Sequence, residues 1–479
     1  MRLFQRGNVR RLSQHLVIHS RDASSPISFN VNLLKVPSNF GYSSSRINRM
    51  YNEDRWQTSI LDMDVGQLIT DTSYSELMKN VDRVEEPKYG PCPKVENCVF
   101  AFGVFDGHGG DECSDYLKNH LFENVERLAI TRESVDLMRE FYKLKISGYW
   151  KRWNRRFGQV VIQECGLRNV EKWCKEYGVK FNDFVSGSKF WDVLDKMIAS
   201  GNLTHWEIFR LRVWVSYLFT DLQFLTYENE FNSIQDKKGK VINSGSTCTS
   251  AFIYGIDWQD GDLNHYFYDE KVVSRLVVAH VGDTRAILCD KDGVARTLTK
   301  DHHPSNPIEA QRLRKLSAGL IMTDSFGEER YLNFANTRSF GDISAKNVGI
   351  TAEPEISEWL IGDPSMVQSY KKRESLEIPD FGGDECFLVL TSDGVTNTLS
   401  DQEIVDIIMT NYNNKGHKWG NPSKCANEVV EFVQCIDGDD NATCLVVRLA
   451  GWGKWPILDR TGKLREERMM DVGKRSNLR

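Results

Sequence analysis

An α+β fold is predicted by three features of the sequence. Strand-length apolar runs, Val99–Phe105 (VFAFGVF), Arg275–Val281 (RLVVAHV), Glu385–Thr391 (ECFLVLT) and Ala442–Leu449 (ATCLVVRL), each adjoin a polar or glycine-bearing turn. Amphipathic stretches with helix-capping signatures fall between them. A third stretch, 128–236, is rich in tryptophan and reads as helices alone.

At 479 residues the chain can bury a large core, as two or three average domains or as one elaborated domain. Hydrophobic residues are 40% and charged residues 27%, the usual balance of a globular protein, and the net charge of −6 gives no reason to expect nucleic acid as a partner. Eleven cysteines, an odd number with no Cys-x-x-Cys pair, argue against a disulfide framework and for a reducing compartment. No apolar run is long enough for a transmembrane helix.

From the N-terminus, residues 1–21 carry five arginines and no acid; the first acid is Asp22. Arginine-rich, acid-free and loosely amphipathic, this stretch is expected to be a mitochondrial transit peptide, placing the protein in the matrix or the intermembrane space. Residues 22–45 are polar and suit a linker. Arg49-Met50-Tyr51-Asn52-Glu53-Asp54-Arg55 packs four charges into seven residues. The Val99–Phe105 strand is expected to stop at Asp106-Gly107-His108-Gly109-Gly110, where the glycines permit a tight turn. That places a carboxylate and an imidazole at the mouth of a turn leaving a core strand; the plainer alternative has Asp106 capping the next helix. Residues 111–127 look helical.

The stretch 128–236 holds Trp150, Trp153, Trp173, Trp191, Trp206 and Trp214, and Thr204 with Glu207 forms a capping box. It is expected to be a helical insertion with its own small core and the surface for any partner. Within it YWKRWNRRFG (149–158) is expected to pack one face and solvate the other. Strands follow at Thr247–Ile256, Arg275–Val281 and Ala286–Cys289, the last as the partner of the one before it. Ile308–Leu316 is a short amphipathic helix, and 363–384 a mobile loop. Ser400 and Glu403 open a helix to about Tyr412, Ser423–Cys435 forms another, and 451–479 is a charged tail.

Asp106, Asp283 and Asp393 each follow an apolar strand, and Asp440 precedes one. If the strands share a sheet system these carboxylates converge. Converging carboxylates repel, and burying them unpaired is costly. A divalent cation relieves this, and an all-oxygen set favours Mg²⁺ or Mn²⁺ over zinc.

The chain resembles the type 2C (PPM) metal-dependent serine/threonine protein phosphatases. The resemblance rests on Arg49-x-x-x-Glu53-Asp54, FGVFDGHGG (102–110), SGST (244–247), AHVGDTRAIL (279–288), DHHP (301–304), RSFGD (338–342), AEPEI (352–356), SDG (392–394) and DDNAT (439–443), in that order. It implies a four-layer αββα sandwich of two antiparallel sheets flanked by helices, spanning 46–450 with the 128–236 insertion inside it. It implies that Asp106 bridges two metal ions, that Asp393 and Asp440 complete the first site, and that Glu53 and the Gly107 carbonyl serve the second. Asp54 would hold a water of that site. Asp283 with Asp393 matches the position of a third, weaker ion, near which Asp342 lies. Arg49 would grip phosphoryl oxygens with its bidentate fork, and His108 would protonate the leaving oxygen. The segment 305–335 would be a flap beside the site. His302 and His303 are loop residues in this frame rather than zinc ligands, and Cys113 and Cys248 packing residues. The sequence departs from the family at Thr396-Asn397, where Trp-Asp is common, which puts the third ion in question.

The implied function is hydrolysis of phosphoserine and phosphothreonine in mitochondrial phosphoproteins, the pyruvate dehydrogenase complex being the first candidate. Two rivals share the fold: a pseudophosphatase scaffold, whose mark would be lost metal carboxylates, and a small-molecule phosphatase, whose mark would be a deep enclosed cleft.

Overall fold

In the computed structural model of the chain, residues 13–18, 27–32, 39–68, 98–226, 244–258, 266–269, 271–316, 321–323, 327, 329–374 and 377–476 are described. Of the expected leader only Ser13–Ile18 falls among them, as a strand paired antiparallel with Ile27–Asn32; the rest lies outside. The expected linker is structured at its end, because Phe40–Ser45 (β1) is an edge strand of the body.

Next come β2 (Arg55–Asp62), β3 (Cys98–His108) and the helix α1 (Glu112–Arg127). Six short helices between Arg132 and Ala199 lead to the long α2 (His205–Thr226). After these follow β4 (Gly245–Trp258), β5 (Val272–Val281), β6 (Arg285–Cys289) and β7 (Ala295–Thr297). Then come α3 (Pro307–Leu316), β8 (Glu355–Gly362), α4 (Pro364–Glu374) and β9 (Phe387–Thr391). The chain closes with α5 (Asp401–Trp419), α6 (Pro422–Cys435), β10 (Ala442–Arg448) and α7 (Gly462–Ser476).

One sheet runs β8-β5-β4-β3-β2, with Phe340–Gly341 also paired to β4; the other runs β1-β10-β9-β6-β7. Every pairing between these strands is antiparallel. Alternate residues of β3 explain the layering. Phe100, Phe102 and Val104 meet Leu388, Leu390 and Leu445 of the other sheet, while Val99, Ala101 and Phe105 meet the helices α1 and α2. Helices α5 and α6 cover the outer face of the second sheet through Ile404, Ile408, Val429 and Val433. The result is the expected α/β/β/α stack.

Several expectations are corrected. Strand β3 does not end at Asp106: its pairing with β4 continues to His108, and the chain turns at Gly109 and Gly110, both at positive φ. The cap of α1 is Asp111, not Asp106. Strand β6 is not the partner of β5. Gly282, at φ 102°, throws the chain across the sandwich, and β6 pairs with β9. The 363–384 stretch is not a loop throughout, since Asp363 accepts hydrogen bonds from the Ser365 and Met366 amides and starts α4. The C-terminal tail forms α7, tied down by Arg468 to Glu403 and by Asp406 to the Arg460 and Thr461 amides.

The insertion has no separate core. Trp150, Trp153, Phe157, Phe190 and Trp214 belong to the same buried cluster as Val99 and Phe105 of the sheet. Helix α2 is buried nearly all round, so it serves as a layer of the sandwich rather than as insertion surface. Its Asn124 and Arg212 contacts clamp it to α1: Asn124 Nδ2 donates to Thr220 Oγ1 at 2.8 Å, and Arg212 Nη2 to the Glu126 carbonyl at 2.7 Å. Segment 149–158 has the expected two faces, with Tyr149, Trp150 and Trp153 buried and Lys151 and Arg152 exposed. Its buried face docks on the RSFGD–AEPEI segment: Trp150 Nε1 donates to the Lys346 carbonyl and Trp153 Nε1 to Glu353 Oε1. Residues 227–236 of the expected insertion lie outside the described residues.

Candidate active site

The topology gathers the functional residues at one end of the sandwich. Strand β2 begins just after Glu53-Asp54, and its antiparallel neighbour β3 ends at Asp106–His108. Asp283 lies on the crossing from β5 to β6, Asp393 follows β9, and Asp440 precedes β10. A cleft of about 280 Å³ there is lined by Arg49, Glu53, Asp106, Gly107, His108, Asp283, Asp342, Asp393 and Asp440, together with Thr247 and Phe334-Ala335-Asn336. Of the residues expected at the site, Asp54 alone is set behind this lining, 3% exposed.

Carboxylate oxygens of Asp106, Asp283 and Asp393 lie within 4.8 Å of one another. Burial, and then the charges of Asp393, Asp54 and Asp283, push the Asp106 carboxyl well above its ordinary value. Burial and Asp393 push Asp283 up to about 7. Burial likewise raises Asp54 and Asp393, each to about 6, with Asp440 adding repulsion to both. These groups resist shared ionisation in the absence of a cation.

The remaining acids are turned to other partners. Asp440 Oδ2 accepts from Arg49 Nη2 at 2.8 Å, and Glu53 Oε1 accepts from the Gly110 amide at 2.8 Å. Arg49 is thus paired with Asp440 and not with Glu53. Asp54 Oδ2 accepts from Ser392 Oγ and Thr443 Oγ1, both at 2.7 Å, whereas its buried Oδ1 receives no hydrogen bond among the described residues.

Glycine is required at Gly107 by close approach, since a Cβ there would stand 2.5 Å from the Glu53 carbonyl oxygen. His108 Nε2 lies 2.9 Å from Asp342 Oδ2. Burial pulls the imidazole down, but the Asp342 hydrogen bond and charge outweigh it and hold it above its ordinary value. Asp342 occupies the left-handed region at φ 46° and is 2% exposed. The turn that holds it is fixed by the Gly341 amide donating to Asp221 Oδ1 at 2.9 Å.

Three features fit a divalent cation: the all-oxygen donor set, the mutual repulsion of the crowded carboxylates, and the orphaned Asp54 Oδ1. Among the described residues, the histidines outside the cleft do not form a competing site. His302 is buried against His280, its Nδ1 accepting from the Gly282 amide, and His303 bonds Ser305. Cys113 and Cys248 are fully buried packing residues with raised thiol pKa values.

Sequence reasoning did not single out several supports. Asn336 lines the cleft with Asp283 and opposes the rise of its carboxyl. At the position where the family commonly has an acid, Asn397 Nδ2 donates to Asp393 Oδ2 at 3.1 Å. Asn441 pins the Arg46–Glu53 loop, donating to the Arg46 and Tyr51 carbonyls and accepting from the Glu53 amide. Asn441 sits inside DDNAT, so its motif was visible. Asn336 and Asp221 carry no local signature.

The family model described as Protein phosphatase 2C matches residues 219–365 and 374–442. Protein phosphatase 2C homolog 4 of Schizosaccharomyces pombe is 32% identical over 371 residues, covering 77% of this chain and 76% of that protein. Protein phosphatase 1K, mitochondrial, of Xenopus laevis is 37% identical over 180 residues, 37% of this chain and 40% of that protein. Among solved structures, a serine-threonine phosphatase 2C from Toxoplasma gondii aligns over 91% of this chain and 99% of its own, at 16% identity and a TM-score of 0.45.

Proposed function

The chain belongs to the protein phosphatase 2C family and is a metal-dependent protein serine/threonine phosphatase; we propose that its substrates are mitochondrial phosphoproteins, the pyruvate dehydrogenase complex being the first candidate. The observation that carries the chemistry is the set of half-buried carboxylates, Asp106, Asp283 and Asp393, whose oxygens lie within 4.8 Å of one another. In this reading Asp106, Asp393 and Asp440 would hold one Mg²⁺ or Mn²⁺, and Asp106, Glu53 and the Gly107 carbonyl would hold a second. Asp54 orients a water beside them, and Asp283 with Asp393 is the place for a third, weaker ion. When bound, such a metal pair supplies an acidified water at neutral pH and a clamp on the phosphoryl group.

The rest is assigned to the chain's own side chains. Arg49 is anchored by Nε on the Asp439 carbonyl and Nη2 on Asp440, which leaves Nη1 to point a charge-assisted hydrogen bond at a phosphoryl oxygen. His108, held through Nε2 by Asp342, has Nδ1 to carry a proton to the leaving seryl or threonyl oxygen. Ground-state order of the cleft comes from Asn441 and Gly107, which fix the Glu53 loop against β3.

A protein substrate is supported by exposure. The Arg49 side chain is 56% exposed and that of His108 42%, so both can reach a phosphoresidue on a protein surface. The mitochondrial assignment is supported by the arginine-rich, acid-free 1–21 stretch and by likeness to the Xenopus relative named as mitochondrial. The pyruvate dehydrogenase complex enters by analogy with mitochondrial members of the family.

The test is hydrolysis of a phosphothreonine peptide by the purified chain with Mn²⁺, with EDTA, and with Asp106→Asn. Turnover that needs Mn²⁺ and falls by about 10³-fold or more in Asp106→Asn is expected. A folded protein without turnover at any metal concentration would move the assignment to the scaffold alternative. Matrix import of the full chain in isolated mitochondria tests the compartment separately.

A further inference from the structure

We propose that Met50 and Tyr51 select the substrate, forming an apolar contact for large apolar side chains that flank the phosphoserine or phosphothreonine. The inference rests on the phosphatase reading above and adds to it the sequence class of the phosphosite.

Met50 is 79% exposed and Tyr51 74%. Scattered exposed apolar side chains need no explanation. These two are adjacent, and they sit directly between Arg49 and Glu53, both of which line the cleft. Neither lines the cleft itself, so they lie at its margin, where residues flanking a phosphoresidue held at Arg49 would pass.

Their backbone is fixed. Asn441 Nδ2 donates to the Tyr51 carbonyl at 2.8 Å, and Arg46 Nη1 donates to the Arg49 carbonyl at 2.7 Å. Asn48 Nδ2 donates to the Gly438 carbonyl at 2.8 Å, and Asn52 Nδ2 to Ser44 Oγ at 2.9 Å. A loop held this way presents Met50 and Tyr51 with the ordering cost of its backbone already met in the free protein.

The surroundings decide which flanking side chains gain. Phe334 and Ala335 add apolar area to the cleft, whose floor is carboxylate. An acidic flank would be taken from water against Met50 and Tyr51 without a partner for its charge. An apolar flank removes Met50 and Tyr51 from water at no electrostatic cost.

The experiment compares two phosphothreonine peptides, identical except that leucine or serine stands on both sides of the phosphoresidue, with p-nitrophenyl phosphate as a flank-free reference. The full chain is assayed with Mn²⁺, alongside the double variant Met50→Ser/Tyr51→Ser. We expect kcat/KM of the unaltered protein to favour the leucine peptide by about tenfold. In the double variant that preference should shrink to within about twofold, chiefly through KM. Turnover of p-nitrophenyl phosphate by the variant reports that its catalytic centre is folded. No preference in the unaltered protein, or the same preference in the variant, would overturn the inference. If the unaltered protein cleaves none of the three substrates, the phosphatase reading fails and takes this inference with it.

Discussion

Two groups of charged side chains flank the Ser339–Lys346 turn, one buried and one lining the cleft, and they are built on opposite principles. On the insertion side the buried acids Asp221 and Glu309 are paired with buried cations. Asp221 lies 2.9 Å from Lys346, both with fully buried side chains, and accepts a further hydrogen bond from Tyr142. Glu309 pairs with Arg338 and Arg312, and Glu353 takes Trp153 Nε1 and Thr351 Oγ1. On the cleft side Asp54, Asp106, Asp283 and Asp393 crowd together, and the basic residues of the lining, Arg49 and His108, are engaged with Asp440 and Asp342. The contrast shows in ionisation. Burial raises Asp221 above its ordinary value, but Lys346 opposes the rise, and Arg312 and Arg338 hold Glu309 well below its own; at Asp106 the charges of Asp393, Asp54 and Asp283 add to burial and drive it well above. The insertion side is complete as a structure, while the cleft side is left for a cation from outside.

The sharpest way to break this comparison is to remove one charge from each side. Lys346→Met leaves Asp221 buried and unpaired, and should cost about 3–5 kcal/mol of stability in urea unfolding. Asp106→Asn, measured in EDTA, should do the opposite and stabilise the metal-free protein by about 1–3 kcal/mol, because it removes a repelling charge. A loss of stability in metal-free Asp106→Asn would erase the distinction between the two groups.

The pH response sharpens it further. Asp54 and Asp393 lie at about 6 and Asp283 at about 7 in the folded chain, above the ordinary value near 4 expected when unfolded. The folded state thus binds more protons between about pH 4 and 7, so metal-free stability should fall as pH rises through that window. A thermal melt in EDTA should show Tm several degrees lower at pH 7.5 than at pH 5.5, and saturating Mn²⁺ should reduce or reverse the difference. The smallest effect is on the paired side: Tyr142→Phe removes one hydrogen bond to Asp221 and should cost about 1 kcal/mol in the same unfolding assay.

The cleft was the more legible of the two groups, and the reason is local. Its acids stand at strand ends, and a strand with its turn is a short pattern, so Asp106, Asp283, Asp393 and Asp440 could be found one at a time. The capping boxes Thr204–Glu207 and Ser400–Glu403 were readable in the same way and form as expected. Asp221 and Lys346 are far apart in sequence, and only the fold brings them together. The crossing at Gly282 mimics a hairpin turn in sequence, and only its positive φ sends β6 to the other sheet. Helix α7 has no apolar periodicity to announce it, being held by Arg465, Arg468 and the Asp406 carboxylate. The shared core of the insertion did leave a signal: His205–Thr226 is apolar on nearly every face, which marks a helix buried on all sides.

Calorimetric titration of Mn²⁺ into the metal-free full chain, beside Asp106→Asn, tests the central claim most directly. Saturable binding of at least one Mn²⁺ by the unaltered protein, strongly weakened in Asp106→Asn, is the result this account predicts. Equal Mn²⁺ binding by the two proteins, or none by either, would contradict it.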